Sequence, residues 1–72
     1  MDDLRLKGNA AFKAGDYGEA AACYTEALNQ LSSQPTHAAL LLCNRSAAYY
    51  KQGLPQRALD DAEHSVALDG LN

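Results

Sequence analysis

The sequence has 72 residues and a net charge of −3 at pH 7, so it allows one small domain and argues against wholesale binding to nucleic-acid phosphates. Its longest apolar run, residues 38–43, is far shorter than the roughly 18 residues that span a bilayer, and Asp2 and Asp3 do not suit the start of a signal peptide. We therefore expect neither a nucleic-acid partner nor a membrane partner.

Four helices are predicted in chain order. The first covers roughly residues 3–14 and ends at Gly15, because glycine adopts the left-handed cap conformation without penalty. The second covers roughly residues 17–31, with Asp16 as a good N-cap. Gly8 lies inside the first helix, where glycine costs about 1 kcal/mol relative to alanine. We therefore expect a neighbouring helix to approach closely at Gly8.

Residues 32–36 are predicted to form the connector to the third helix, and Pro35 within it can itself open that helix, because proline suits the first helical position. The third helix runs to about Gln52 and is ended by Gly53. The fourth runs from Pro55 to about Leu68. Helical spacing predicts the apolar faces of the last three helices. The face of the second helix consists of Ala20, Cys23, Tyr24, Ala27, Leu28 and Leu31, and that of the third of Leu40, Leu41, Cys43, Ala47, Ala48 and Tyr50. The face of the fourth helix consists of Ala58, Leu59, Ala62, Val66 and Ala67.

The residues with reactive side chains give no sign of a metal site or of catalysis. Cys23 and Cys43 form no Cys-x-x-Cys pair, and His37 and His64 have no ligand at metal-site spacing. We interpret both cysteines as reduced, small apolar residues in helices, which is typical of cytosolic or nuclear proteins. The sequence also lacks an acid–base pair and a phosphate-binding glycine loop. We therefore expect no cofactor, no enzyme activity and a cytoplasmic location.

A glycine-centred pattern occurs twice, 38 residues apart. Its two copies run through Gly8, Ala10, Lys13, Gly15 and Ala20, and through Ser46, Ala48, Lys51, Gly53 and Ala58. A period of this size indicates stacked helix pairs. The first copy also follows the tetratricopeptide pattern, whose marked positions are occupied by Leu4, Lys7, Gly8, Ala11, Ala20 and Tyr24.

The chain therefore resembles a tetratricopeptide-repeat protein over nearly all of its length. The resemblance implies an all-α fold, namely an α-solenoid of two helix–turn–helix units with four antiparallel helices. The first repeat covers about residues 1–34 and the second about residues 37–72. Because stacked repeats bury one another, at least three are expected. We expect the chain to be a fragment of a longer array, or else a short protein that completes itself by self-association.

Charge differs between the odd and even helices. The bases of the first and third helices are Arg5, Lys7, Lys13, Arg45 and Lys51. The acids of the second and fourth helices are Glu19, Glu26, Asp60, Asp61, Glu63 and Asp69. The resemblance implies that the first helix of each pair lines a concave groove. The groove is then predicted to be basic and the outer surface acidic, which favours an acidic peptide as partner.

Arg5, Asn9, Phe12, Asn44 and Lys51 are the candidate peptide-binding residues. Arg5 and Asn9 are four residues apart and share a helix face with Phe12, and Asn44 and Lys51 share a face at seven-residue spacing. A cation beside an amide suits a carboxylate, because both donate hydrogen bonds and the amide adds no charge.

The segments around these residues, 6–9 and 43–49, resemble one subgroup of the family. It comprises the co-chaperones that grip the acidic C-terminal Glu-Glu-Val-Asp tail of cytosolic heat-shock chaperones through a carboxylate clamp. The resemblance places Asn9 and Asn44 on the two clamp asparagines and Arg5 on a clamp lysine. The clamp takes a further lysine and arginine from a fifth helix, which these 72 residues do not include. We therefore expect the chain alone to bind such tails weakly or not at all.

Other interpretations of the same residues remain open. Asn9 could cap or pack a helix, Asn44 could be a buried amide bonded to a neighbouring helix, and Arg5 could be a solvated surface charge. The alternative function is a structural module that forms a homodimer through the exposed apolar face of the last helix, around Leu59 and Val66.

Overall fold

The computed structural model of the chain describes residues 3–30 and 35–69. These residues form four helices, α1 (Asp3–Lys13), α2 (Tyr17–Gln30), α3 (Pro35–Lys51) and α4 (Pro55–Asp69), and the described ranges contain no strand. The all-α prediction is confirmed. Each helix packs against the next one in the chain, so α1–α2 and α3–α4 form two hairpins that meet where α2 contacts α3.

The two hairpins turn in the same way. Gly15 and Gly53 have φ angles of 87° and 78°, in the left-handed region that favours glycine. After α1, the Gly15 N–H donates to the Phe12 carbonyl and the Asp16 N–H to the Ala11 carbonyl, at 3.0 and 2.8 Å. After α3, the bonds from Gly53 to Tyr50 and from Leu54 to Tyr49 repeat this Schellman arrangement at 3.0 and 2.9 Å. The identical turns support the division into two repeats, which stays a prediction.

The core lies where α2 meets its neighbours on both sides. Its buried members are Ala20, Ala21, Tyr24, Ala27, Leu41 and Ala48, and Leu4, Ala11, Phe12, Leu28 and Tyr49 pack against them. Small residues in α2 allow the helices to come close together. At Gly8 a Cβ atom would lie 2.6 Å from Cε1 of the Tyr24 ring. The predicted close approach at Gly8 is therefore confirmed.

The predicted apolar face of α3 was wrong in part. Leu41 and Ala48 are buried as expected, but Leu40 is 42% exposed and Tyr50 69% exposed. Cys43 and Ala47 are exposed too, and Ala39 and Leu42 are buried instead. The exposed residues are spaced at 40, 43, 47 and 50, which is itself a helical stripe. Because α3 is apolar on two sides, the sequence pattern could not show which side was covered.

The predicted faces of α2 and α4 have different outcomes. On α2, Ala20, Cys23, Tyr24 and Ala27 are buried and Leu28 is half-buried, whereas Leu31 lies outside the described residues. On α4, Ala58 is buried and Ala62 half-buried, but Leu59, Val66 and Ala67 are exposed. The described part of the apolar stripe on α2 is therefore covered, whereas part of the stripe on α4 faces solvent.

Hydroxyl groups join α3 to α4. Ser46 Oγ donates to the Ala58 carbonyl at 2.6 Å, and Ser65 Oγ donates to the Ala39 carbonyl at 2.8 Å. Ser46 stands 38 residues after Gly8, so the position that admits an aromatic ring in the first hairpin holds a polar link in the second.

Candidate functional site

An open groove of about 500 Å³ runs between α1 and α3. The described residues that line it are Leu6, Asn9, Ala10, Phe12, Lys13, Tyr24, Asn44 and Ala47. The structure thus brings together three of the five candidate residues, the two asparagines and Phe12. The lining combines an apolar surface with two amides and one ammonium group. It can therefore contact an aliphatic side chain and donate hydrogen bonds to an acceptor at the same time.

The other two candidates flank the groove and are not among its lining residues. Arg5 is half-buried and lies one helical turn before Asn9, about 6 Å along the axis of α1. Lys51 is exposed at the end of α3, about 10 Å along the axis from Asn44. Long side chains at these distances can reach a ligand that extends beyond the groove, but they do not form its walls.

Asn9 is held by a buried tyrosine. The Tyr24 hydroxyl donates to Asn9 Oδ1 at 2.5 Å, and Tyr24 is only 2% exposed. Burial raises the pKa of the Tyr24 hydroxyl, with a smaller rise from Cys23, and the charge of Arg5 opposes the rise. The hydroxyl therefore keeps its proton at neutral pH and remains a donor to Asn9.

Sequence reasoning missed five of the lining residues, and two of these, Tyr24 and Lys13, carry polar groups. Tyr24 was predicted as a core residue only, and its contact with Asn9 depends on the close approach at Gly8. Lys13 was counted among the bases but was not placed in the site. It lies four residues after Asn9, so the same i, i+4 rule that paired Arg5 with Asn9 could have found it.

The prediction that Arg45 contributes to a basic groove was wrong. Its Nε and Nη2 donate to the two carboxylate oxygens of Asp61 at 2.7 and 2.8 Å, and its Nη1 donates to Thr25 Oγ1 at 3.0 Å. The guanidinium carbon also lies 5.5 Å from the centre of the Tyr49 ring. Arg45 is one residue after Asn44, and this turn of about 100° directs it to α4 and α2.

The acidic partner in this pair corrects the predicted charge pattern as well. Asp61 is 6% exposed and does not belong to an acidic outer surface. The pKa of Arg45 is raised mainly by the hydrogen bonds to Asp61, while burial opposes the rise. The groove is therefore less basic than expected. Of the five predicted bases, Lys13 is in the groove lining, whereas Arg45 joins three helices.

The described residues give two further results. No group of three or more histidine, cysteine, aspartate or glutamate side chains in the described ranges is placed to hold a metal ion. In the same residues, no helix has both the length and the apolar character needed to cross a bilayer. Cys23 and Cys43 are both free thiols, and only Cys23 has the buried position expected for both.

Comparison with known proteins agrees with this architecture. Residues 4–69 match the family model described as Tetratricopeptide repeat. This match covers most of the chain, and the four helices with their repeated turns have the arrangement that the resemblance implies. The chain belongs to the tetratricopeptide-repeat family.

Several curated proteins are similar to the chain. It is 38% identical over 72 residues to the mitochondrial import receptor subunit TOM34 of Rattus norvegicus, covering 94% of the chain and 23% of that protein. It is 37% identical over 68 residues to the heat-shock protein cognate (HSC) co-chaperone sgt12 of Aspergillus fumigatus, covering 94% and 19%. It is 36% identical over 62 residues to the inactive TPR repeat-containing thioredoxin TTL3 of Arabidopsis thaliana, covering 86% and 8%. The chain spans less than a quarter of the length of these relatives. No solved structure matches it significantly.

Proposed function

We propose that the chain is a non-enzymatic protein-interaction adaptor of the cytoplasm, whose groove binds the acidic C-terminal tail of a heat-shock chaperone. The observation that carries the proposal is that the amides of Asn9 and Asn44 line one groove. The similarity to sgt12, a relative named as a heat-shock cognate co-chaperone, supports the choice of partner.

The lining of the groove suits a peptide that ends in a carboxylate and carries an aliphatic side chain nearby. Asn9 and Asn44 supply amide donors, and Lys13 supplies a positive charge on the same lining. Leu6 is 55% exposed and lies on this lining with Phe12, so apolar surface is available to the ligand. We further propose that Arg5 and Lys51, which are outside the lining, contact acidic side chains further along the peptide.

The affinity of this chain alone should be low. The carboxylate clamp that the resemblance implies takes two further cationic donors from a fifth helix, whereas the described residues supply four helices. Hydrogen bonds to charged groups contribute roughly 1.5–3 kcal/mol each. The lack of two such bonds weakens binding by about a hundredfold to ten-thousandfold.

The proposal is tested by NMR titration with a short acidic peptide ending in Val-Asp, used with a free C-terminal carboxylate and with a C-terminal amide. The free-acid peptide should shift groove resonances and bind more tightly than the amide. Asn44→Ala should weaken binding about tenfold or more, because it removes a donor to a charged acceptor. Asn29→Ala, which removes an exposed asparagine from α2, is the matched control and should leave binding unchanged. Equal affinity for the two peptides, or an unchanged affinity in Asn44→Ala, would refute the proposal.

A second function is favoured by the apolar surface of α4. Leu59 is 52% exposed and Val66 67% exposed, and they are seven residues apart on one helix face. The residues 38 positions earlier are Ala21, which is buried, and Leu28, which packs on the core. The covered face of α2 thus corresponds to an uncovered face of α4, and a second copy of the chain could cover it.

This alternative is tested by the mass of the chain in solution. Sedimentation should show a dimer that is lost in Val66→Asp and kept in Ala22→Asp, since Ala22 is an exposed alanine of α2. A monomer at all accessible concentrations excludes self-association through this surface.

A further inference from the structure

The strongest unassigned feature of the groove is the contact between Tyr24 and Asn9. The Tyr24 ring reaches from α2 to α1, where Gly8 leaves room for it, since a Cβ there would lie 2.6 Å from Cε1 and 2.9 Å from Cδ1. The hydroxyl then lies 2.5 Å from Asn9 Oδ1. Gly8, Tyr24 and Asn9 therefore form a linked set in which the glycine allows the contact and the tyrosine makes it.

The contact fixes which end of the Asn9 amide the ligand meets. A distance of 2.5 Å lies within the O–H···O range and is shorter than the range of roughly 2.7–3.2 Å for N–H···O bonds. The hydroxyl thus bonds the carbonyl end of the amide. The NH₂ end, which only donates, is then the end available to a ligand in the groove that Asn9 lines.

The fold does not require this hydroxyl. The tetratricopeptide pattern has phenylalanine at the position of Tyr24, and phenylalanine fills the same volume without a polar group. The second repeat has no equivalent pair either, because the residues 38 positions after Asn9 and Tyr24 are Ala47 and Ala62. The hydroxyl is therefore special to the first repeat, where it touches a groove residue.

We propose that Tyr24 is a positioning residue that makes the groove selective for hydrogen-bond acceptors, by holding Asn9 with its NH₂ group turned to the ligand. This inference rests on the proposed function, since it states how the same groove distinguishes a C-terminal carboxylate from a C-terminal amide. Without the hydroxyl, the amide can rotate and present either its oxygen or its NH₂ group, and the oxygen repels a carboxylate.

The test compares affinities for the free-acid and amidated forms of the same acidic peptide. Tyr24→Phe should weaken binding of the free acid by about two- to tenfold, as expected for one lost neutral hydrogen bond, and should lower the preference for the acid over the amide. Tyr49→Phe is the matched control, because Tyr49 is a half-buried tyrosine on α3 outside the groove lining. It should change neither value.

A double variant separates positioning from a general effect on the fold. In an Asn9→Ala background the hydroxyl has no amide to orient, so Tyr24→Phe should have no further effect on the preference. Asn9→Asp should keep the contact with the Tyr24 hydroxyl through one carboxylate oxygen. It should abolish binding of the free acid, because the second oxygen accepts hydrogen bonds and cannot donate them. An equal loss from Tyr24→Phe with and without Asn9, or an unchanged preference in Tyr24→Phe, overturns the inference.

A ligand-free measurement keeps the inference testable on its own. In the wild-type chain, the Asn9 side-chain NH₂ protons should show nuclear Overhauser effects to groove residues such as Leu6 and Ala47. These effects should weaken in Tyr24→Phe, and effects to the Tyr24 ring in their place would overturn the inference. If the orientation is confirmed but the wild-type chain binds acid and amide peptides equally, the proposed function fails and the positioning remains.

Discussion

Replacing Arg45 with methionine should lower the free energy of unfolding by about 3 kcal/mol, the lower end of the cost of breaking a buried ion pair, because the Arg45 side chain is 19% exposed. The cost is still this large because Asp61 is 6% exposed, receives two hydrogen bonds from Arg45 and is left without this partner. The change also removes the bond to Thr25 and the contact with the Tyr49 ring. A chain of 72 residues has a total stability of about 4–11 kcal/mol, so this loss removes roughly a quarter or more of it.

Urea unfolding followed by circular dichroism measures this change. Arg57→Met is the matched control, because the Arg57 guanidinium also lies over the Tyr49 ring, at 5.9 Å, but its side chain is exposed. It should cost less than about 1 kcal/mol. The double variant Arg45→Met with Asp61→Leu should regain much of the loss, since no buried charge is left without a partner. A cost in Arg45→Met no larger than that of Arg57→Met would show that Arg45 does not join the helices as described.

Three further predictions follow from buried contacts. Gly8→Ala should lower the free energy of unfolding by about 1–3 kcal/mol, because the new Cβ would overlap the Tyr24 ring even though alanine favours helix. Thermal unfolding measures this loss, and a stabilised variant would contradict the tight contact. A thiol reagent should label exposed Cys43 quickly and buried Cys23 only on unfolding, since burial and then Glu19 raise the pKa of the Cys23 thiol; equal rates would contradict this. Folding raises the pKa of Cys23 above 9.0 and of Tyr24 above 10.0, so their stabilising contribution is fully present below these values and is lost as pH rises through the folded pKa values. The free energy of unfolding measured with urea should therefore fall above about pH 9, and it should fall less steeply in Tyr24→Phe. A rise in stability at alkaline pH would show that folding does not raise these pKa values.

The helix limits could be predicted from the sequence because local chemistry decides them. Gly15 and Gly53 adopt positive φ angles that other residues avoid, and they end α1 and α3 within a residue of the predicted positions. Pro55 begins α4 as predicted, whereas α3 begins at Pro35, inside the segment predicted as a connector. These signals depend only on the backbone preferences of single residues, so no knowledge of the tertiary packing was needed.

The covered face of α3 and the pairing of Arg45 could not be predicted in this way. Periodicity shows that a helix has apolar sides, but the neighbouring helices decide which side is covered. Leu40 and Tyr50 lie on an apolar side of α3 that is exposed. Arg45 and Asp61 are 16 residues apart on different helices. No local rule connects them, because the i, i+4 rule relates only residues of the same helix.

The candidate site shows the same division between local and tertiary information. Asn9 and Asn44 were selected because the resemblance placed them on one groove, and they line one groove in the structure. The hydroxyl contact of Tyr24 arises only when α2 approaches Gly8, so it needed the packed helices to be seen.

The most direct measurement follows the side-chain amide resonances of Asn9 and Asn44 during titration with the free-acid peptide. Both amides should shift along curves with one dissociation constant and show intermolecular contacts to the same C-terminal residue. Shifts at only one of the two amides, or two different dissociation constants, would show that α1 and α3 do not hold a common ligand.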